Sequence, residues 1–470
     1  MRKSVTTIAG TITAVLALCG FYLYPSQPKS PNLVLIFADD LGYGDLSCFG
    51  NPTLMTPNLD RMAQEGIKLT SFYAAPSCTP ARAALLTGRY PVRSGLYRVL
   101  GPDAKIGIPP SEITLAEALK TRDYRTIAIG KWHLGHSEKK YLPTSNGFDE
   151  YFGLLYSNDM MRPWVKTDRP LKLWRNTEPV EYPVEQTTLT ERYTEEAVQF
   201  IRKSKHHPFF VYLAHSMPHV PVSASENFSG RSRRGLYGDV VETIDWSAGR
   251  ILETLKEEGL DENTLVVFTS DNGPWVPLPP RMLQENLIQR WDAGSSGLLR
   301  AGKGSTYEGG VRVPFVARWP GRIPNGRVSA EMASVMDIYA TFINLAGAEI
   351  PTDRTVDGRD IMPLLAGEGT SPHDFLFYFR GKTPEAVREG KWKLRLSRHR
   401  REDLAEDEPL TPELFDLDTD PSEMYNLAEE NPRIVARLTE QLKQFEVEEP
   451  LSSGAPQNSD KKVPQPEGGS

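Results

Sequence analysis

Three short, unbroken apolar runs constrain this chain more than any other feature. Asn32–Ala38 reads NLVLIFA, Pro208–Ala214 reads PFFVYLA and Thr264–Thr269 reads TLVVFT. A strand that is apolar at successive positions has no solvent face, so it belongs inside a sheet covered on both sides. Helix signals lie between these runs. Thr56-Pro57 opens a helix, with Thr as N-cap and Pro at the first position, and Gly66 closes it. Thr114-Leu-Ala-Glu117 is a capping-box start for a helix running to Thr121, and Tyr124–Ile129 follows as a strand. From Asp239 to Glu257, the residues Val241, Ile244, Ile251, Leu252 and Leu255 recur at helical spacing. Strands alternating with helices in this way predict an α/β fold with a mainly parallel central sheet.

The texture changes near residue 370. Gly367–Pro372 reads as a linker, followed by strand-like runs at Phe375–Phe379 and Trp392–Leu396 and a helix over Pro432–Glu446. The expected organisation is a large domain over 31–370, a small C-terminal α+β domain over 371–450 and a disordered Ser/Pro/Gly/Lys-rich tail over 451–470. Residues 1–30 carry Arg2 and Lys3, an apolar run from Val5 to Tyr24 and a Pro-rich stretch, the pattern of a secretory signal. A retained membrane anchor is the alternative. Lipidation at Leu16-Ala-Leu-Cys19-Gly ranks below simple export, because Leu18 is too large for the position before the cysteine. An exported protein is expected, periplasmic, extracellular or lysosome-like. A net charge of −7 argues against a nucleic-acid partner. Three cysteines exclude a disulfide scaffold. Beyond the leader only Cys48 and Cys78 remain, and an oxidising compartment would allow them to pair.

Chemistry collects at strand ends. NLVLIFA runs into Asp39-Asp40, and TLVVFTS runs into Asp271-Asn272-Gly273. In open parallel sheets ligands bind beyond the carboxyl ends of the strands. Converging carboxylates without His or Cys favour a hard cation, Ca²⁺ or Mg²⁺, although an Asp after a strand is more often a turn or cap residue. In Pro76-Ser-Cys78-Thr-Pro-Ala-Arg82, Thr79-Pro80 starts a helix that Gly88 stops, so Cys78 lies just ahead of a helix N-terminus, with Arg82 one turn into the helix. By composition alone Cys78 would be a low-pKa thiolate nucleophile; a small buried cysteine is the other reading. Lys131 and His133 follow a strand in Gly130-Lys-Trp-His133, His219 lies in Pro218-His-Val-Pro221, and Lys303 sits between two glycines. A metal with an arginine, two lysines and two histidines suits a tetrahedral oxyanion ester, sulfate or phosphate.

Cys78-Thr-Pro-Ala-Arg82, extended by Leu-Leu-Thr-Gly-Arg-Tyr-Pro, resembles the C-x-P-x-R maturation motif of the type I sulfatases. Gly130–His133 resembles their second signature, and Ser296–Gly310 the lysine segment of the arylsulfatase A and N-acetylgalactosamine-6-sulfatase branch. Glu413-Leu-Phe-Asp-Leu-Asp with Asp420-Pro-Ser-Glu and Asn426-Leu is similar to the family's C-terminal strand and turn. The resemblance spans residues 31–450. Ala81 replaces a commoner serine, and Asp123 stands where glycine is usual.

The resemblance implies an alkaline-phosphatase-like large domain and a Cα-formylglycine made from Cys78 by a maturation enzyme. It implies a Ca²⁺ site of Asp39, Asp40, Asp271, Asn272 and residue 78. Arg82, Lys131 and His133 would hold the hydrated aldehyde. Lys303, His219 and Ser157 would bind the sulfate, with His219 protonating the leaving oxygen. One hydroxyl of the hydrate attacks sulfur; the second, deprotonated by His133, expels sulfate and restores the aldehyde. The implied activity is hydrolysis of sulfate monoesters, of aryl alcohols or sulfated carbohydrates. A phosphodiesterase or phosphonate monoester hydrolase of the same superfamily, or an inactive secreted glycan-binding protein, are the rival readings. His215 is a candidate substrate contact, as are Trp164, Trp174, Trp275 and Trp291 in loop-like insertions, where packing is an equally good role. Asn227-Phe-Ser229 is a glycosylation sequon.

Overall fold

The computed structural model describes residues 30–397 and 411–445; the expected leader run and the tail at 451–470 lie outside the described residues. The strands are β1 (Asn32–Ala38), β2 (Ile67–Tyr73), β3 (Arg125–Lys131), β4 (Glu150–Leu154), β5 (Leu173–Arg175), β6 (Glu178–Glu181), β7 (Phe209–Ala214), β8 (Thr264–Ser270), β9 (Arg312–Arg318), β10 (Arg327–Ser329), β11 (Ala333–Ser334), β12 (Leu376–Arg380), β13 (Thr383–Glu389), β14 (Trp392–Ser397) and β15 (Thr411–Asp416). The helices are α1 (Pro57–Gln64), α2 (Cys78–Thr87), α3 (Pro91–Ser94), α4 (Leu115–Lys120), α5 (Leu189–Ser204), α6 (Gly235–Glu257), α7 (Glu308–Val311), α8 (Val335–Ala346), α9 (Met362–Ala366) and α10 (Pro432–Gln444).

The large sheet runs β10-β2-β9-β8-β1-β7-β3-β4-β5-β6, with β11 also on β2. Its centre, β8-β1-β7-β3-β4, is parallel throughout. β9 runs antiparallel to both β8 and β2, and β5 and β6 finish the far edge as antiparallel strands. Every residue of β1, β7 and β8 is buried, as their unbroken apolar runs require, so both faces of the sheet are covered. The α/β expectation holds.

Local departures have local causes. Helix α6 starts at Gly235, a turn before Asp239. The Asp239 carboxylate turns back instead, accepting from the backbone N–H groups of Gly230, Arg231 and Ser232. Thr56 stands at the N-cap of α1 but makes no capping bond. Asp245 of α6 does that work from outside, accepting from the N–H groups of Asn58 at 3.2 Å and Leu59 at 2.8 Å. The capping box at Thr114 and Glu117 is present as read. Asp123 has φ 61°, a left-handed conformation that aspartate tolerates better than most residues, which explains why glycine suits this position. Trp174 is not in a loop: it lies on β5, paired with Gly153 of β4.

The second sheet, β12-β13-β14-β15, is antiparallel, and α10 buries Leu438 and Leu442 with Val387, Leu394 and Leu414 of its strands. Its opposite side grips the 300–308 segment of the large sheet's side. Lys393 of β14 is fully buried with its Nζ 2.8 Å from Glu308 Oε1 and 2.9 Å from Glu423 Oε1. Glu423 accepts in turn from the Glu308 N–H, and Tyr73 donates to Glu308 Oε2. The Tyr307 ring has the guanidinium groups of Arg300 and Arg395 each 4.0 Å from its centroid, and its hydroxyl donates to Glu413. Burial pushes the Glu308 carboxyl up, but Lys393, Arg312 and Arg388 outweigh it and hold the group down at about 2. Removing one member of such a set strands the others without a counter-charge. Lys393→Met is expected to lower the unfolding free energy by about 3–5 kcal/mol. Urea denaturation followed by tryptophan fluorescence measures the loss, and an unchanged midpoint would show that the buried set does not hold the two sheets together.

Candidate active site

The parallel pairing of β1 with β8 sets Ala38 opposite Ser270, so the chains leave the sheet side by side as Asp39-Asp40 and Asp271-Asn272. Asp39, Asp40, Asp271 and Asn272 are all buried. The Asp40 N–H donates to Asp271 Oδ1 at 3.0 Å, and Asn272 Nδ2 donates to Asp40 Oδ1 at 2.7 Å. Asp40 has φ 62°, a strained left-handed backbone of the kind that collects at functional sites. Gly273 lets the turn pass close to its neighbour: a Cβ there would lie 1.8 Å from the Gly309 carbonyl oxygen.

Three cations meet these three carboxylates, Arg82 and Lys131 buried and Lys303 nearly so. Arg82 donates to Asp271 Oδ2 at 2.8 Å and to the Lys131 carbonyl at 2.8 Å. Lys131, the last residue of β3, reaches Asp39 Oδ2 at 2.5 Å and Ser157 Oγ at 3.1 Å. Lys303 lies 2.8 Å from Asp40 Oδ1, its loop pinned by Lys303 N–H to the Pro274 carbonyl and Gly304 N–H to the Pro76 carbonyl. Burial raises the pKa of Asp40 and Asp271; for Asp271 the Asp39 charge adds to the rise. Burial alone would lower Lys131 and Lys303, but the Asp39 and Asp40 carboxylates beside them leave both raised.

The two histidines are buried and have their tautomers fixed by carbonyls, which can only accept. His133 has Nε2 2.8 Å from the Leu100 oxygen, so Nε2 carries the proton and the buried Nδ1, which has no hydrogen-bond partner, keeps its lone pair. His219 has Nδ1 2.6 Å from the Val220 oxygen, leaving Nε2 to face Asp40 Oδ2 at 3.5 Å. Burial first, then nearby lysines, drive both pKa values well below the usual imidazole range. Thr79, which the sequence marked only as a helix start, ties the site together: its hydroxyl donates to the His133 carbonyl and accepts from the Leu100 N–H.

Cys78 is the first residue of α2, not the residue ahead of it, with Ser77 as N-cap. Its Sγ lies 3.9 Å from Asp40 Oδ1. Two readings of this residue are corrected. Cys48 and Cys78 are both free, so they do not form a disulfide. Nor is Cys78 an acidic thiol: it is 1% exposed, and burial pushes its pKa up by more than Lys131 and Lys303 pull it down. Helix position and a nearby arginine predict activation only where the thiolate keeps some solvent.

The donors suit a hard cation. Asp39, Asp40, Cys78 and His219 each offer an atom, all within 4.8 Å of one another. Asp39 Oδ1 and Asn272 Oδ1 are buried oxygens with no hydrogen-bond partner, and Asp271 flanks them with its oxygens turned to Arg82 and the Asp40 N–H. Carboxylate and amide oxygens of this kind are ligands for Ca²⁺ or Mg²⁺. Of the other candidates, His215 is fully buried, its pKa pushed down to about 3 by that burial, and its Nε2 lies 3.3 Å from Ser247 Oγ of α6. Trp275 touches the site; Trp291 is exposed and its carbonyl accepts from Arg234.

Comparison with known proteins agrees with this geometry. The family model described as Sulfatase matches residues 31–348, and the one described as N-sulphoglucosamine sulphohydrolase, C-terminal, matches residues 301–448. The second begins within the Lys303 segment that the small sheet grips. N-acetylgalactosamine-6-sulfatase of Sus scrofa is 43% identical over 387 residues, 78% of this chain and 72% of that protein. Arylsulfatase A of Homo sapiens is 41% identical over 438 residues, 85% of this chain and 83% of that protein. The crystal structure of the PsFucS1 sulfatase from Pseudoalteromonas sp. superposes with a TM-score of 0.78 at 32% identity, covering 88% of this chain and 89% of that one. With carboxylates, cations and histidines gathered at the strand ends and a family match over most of its length, the chain belongs to the sulfatase family and is a sulfuric ester hydrolase.

Proposed function

We propose that the sulfate monoester is cleaved at Cys78 after its oxidation to Cα-formylglycine, beside a calcium ion held by Asp39, Asp40, Asp271 and Asn272. The observation that carries this reading is the placement of Cys78 Sγ 3.9 Å from Asp40, inside a ring of three buried carboxylates and three cations. The hydrated aldehyde would supply a nucleophile with two hydroxyl groups, and the metal a Lewis acid that lowers their pKa.

The chain's own residues do the rest. The three carboxylates and the three cations Arg82, Lys131 and Lys303 balance one another, so an anionic substrate enters a site whose side chains carry no surplus positive charge. With a divalent cation held by the carboxylates, Lys303 and Lys131 would be free to face the sulfuryl oxygens, with Ser157 beside Lys131. His133 presents an unprotonated Nδ1 as a base. His219 presents Nε2 towards the leaving oxygen and protonates it once the negative substrate raises the ring's affinity for a proton. Residues 31–370 act as the catalytic domain, and 371–450 as a small domain that fixes the Lys303 loop. Sulfated carbohydrate is the proposed substrate class, in keeping with the sulfated amino sugar in the names of the relatives. A formylglycine-generating enzyme is the proposed maturation partner, and export the proposed destination.

Mass spectrometry of the fragment carrying residue 78, from protein made in a maturation-competent host, is expected to find aldehyde in place of thiol; Cys78→Ala is expected to abolish turnover. Full activity with an intact thiol would overturn the proposal. Preference for a phosphate diester over a sulfate ester would favour the phosphonate hydrolase reading, and complete modification without turnover the glycan-binding one. Exhaustive chelation is expected to lower the melting temperature, with Ca²⁺ restoring it and Asp271→Asn removing the response; a melting curve indifferent to the metal would argue against the site. His219→Ala is expected to slow poor leaving groups such as alkyl sulfates by about 10²–10⁴-fold, and nitrophenyl sulfate far less. Equal loss on both would remove the acid role from His219.

A further inference from the structure

The Trp275 ring lies two residues beyond Gly273 of the Asp271–Gly273 turn and gathers three basic groups. Lys303 Nζ is 4.5 Å from its centroid, the Arg281 guanidinium carbon 5.1 Å and the His219 ring 5.4 Å. Lys303 and His219 also face Asp40. Arg281 is the next cation outward on the same plate: its side chain is 41% exposed, against 10% for Lys303.

Arg281 is held from behind and open in front. Nη1 donates to the Trp164 carbonyl at 3.1 Å, and both Nη atoms stand 3.4 Å from one oxygen of Asp159. That pairing is long beside the 2.8 Å of Arg82 to Asp271, and the contact to Trp164 is to a neutral carbonyl. Asp159 is two residues beyond Ser157, so the loop that brings Ser157 to Lys131 also orients Arg281. Arg281 Nε has no hydrogen-bond partner among the described residues. None of the charges in the proposed sulfuryl transfer needs Arg281. A planar guanidinium with unused donors, fixed against an aromatic face, fits a carboxylate or sulfate group.

We infer that Arg281, seated on Trp275, is a specificity-determining subsite for a second anionic group, carboxylate or sulfate, on the alcohol portion of the substrate. The inference rests on the sulfatase reading and narrows it: the preferred substrates are sulfate esters whose leaving group is itself charged, such as an acidic or multiply sulfated saccharide. Arg281 lies outside the reacting centre, so it discriminates among substrates by binding and makes no bond to the sulfate being cleaved.

The test separates this inference from the reading beneath it. Affinities are measured by calorimetry on the non-hydrolysing Cys78→Ala protein, with and without Arg281→Ala, for phenyl sulfate, 4-carboxyphenyl sulfate and 1,4-phenylene disulfate. Arg281→Ala is expected to weaken the two doubly charged ligands about tenfold more than phenyl sulfate, with Arg281→Lys recovering part of the difference and added salt eroding it. In mature protein carrying Cys78, the ratio of kcat/KM for carboxyphenyl over phenyl sulfate is expected to fall by a similar factor, through KM. The carboxylate and disulfate arms show which anion the subsite prefers. An equal effect of Arg281→Ala on all three ligands would overturn the inference while leaving the sulfatase reading intact. Failure of fully modified protein to hydrolyse any sulfate ester would overturn both.

Discussion

Three carboxylates buried at the ends of two neighbouring strands are the constraint on which the rest of this molecule depends. Asp39 and Asp40 leave β1, and Asp271 leaves β8, in a region without solvent. Ionised carboxylates so placed are untenable unless cations come to them. Those cations come from three distant parts of the chain: Arg82 from the first turns of α2, Lys131 from the end of β3 and Lys303 from a loop before β9. Satisfying the acids therefore fixes the positions of one helix, one strand and one loop. It also brings Cys78, one turn before Arg82, to the Asp40 carboxylate. Stability and the geometry of the proposed site follow from a single electrostatic requirement.

The small sheet extends the same logic outward. Lys303 needs a rigid loop, yet it sits between Gly302 and Gly304. The rigidity comes from Tyr307 clasped by Arg300 and Arg395, and from Glu308 bound to Lys393. A sheet that contributes no residue to the carboxylate cluster thus sets the position of one of its three cations.

What could be read from the sequence, and what could not, divides along the range of the interactions. β1, β7 and β8 were legible because burial on both faces leaves a local mark, an unbroken apolar run. β2 and β9 were not among the expected strands: β2 alternates buried and half-buried positions and β9 is interrupted by Pro314, so neither gives an unbroken apolar run. The cluster residues were legible because strand ends followed by Asp doublets, and motifs of Cys, Arg, Lys and His, are written in short segments. The acidity of Cys78 was misread because it depends on solvent exclusion by β1, β3 and the Lys303 loop, none of which is visible from its neighbours in sequence. Arg281 and Lys393 left no signal: Arg281 is oriented by Asp159 and Trp164, 122 and 117 residues away, and Lys393 by Glu308, 85 residues away, together with Glu423.

The separation along the chain of the groups that bury Cys78 has a temporal consequence. Asp40 and Asp271 are 231 residues apart, and Lys303 comes later still. Pairings of such long range form late, after the entropy of closing large loops has been met. A ribosome would therefore deliver the helix bearing Cys78 well before it delivers the strand and loop that seal it. The proposed maturation of that sulfur by another protein would have its window while the nascent polypeptide is still incomplete, before the Lys303 loop docks.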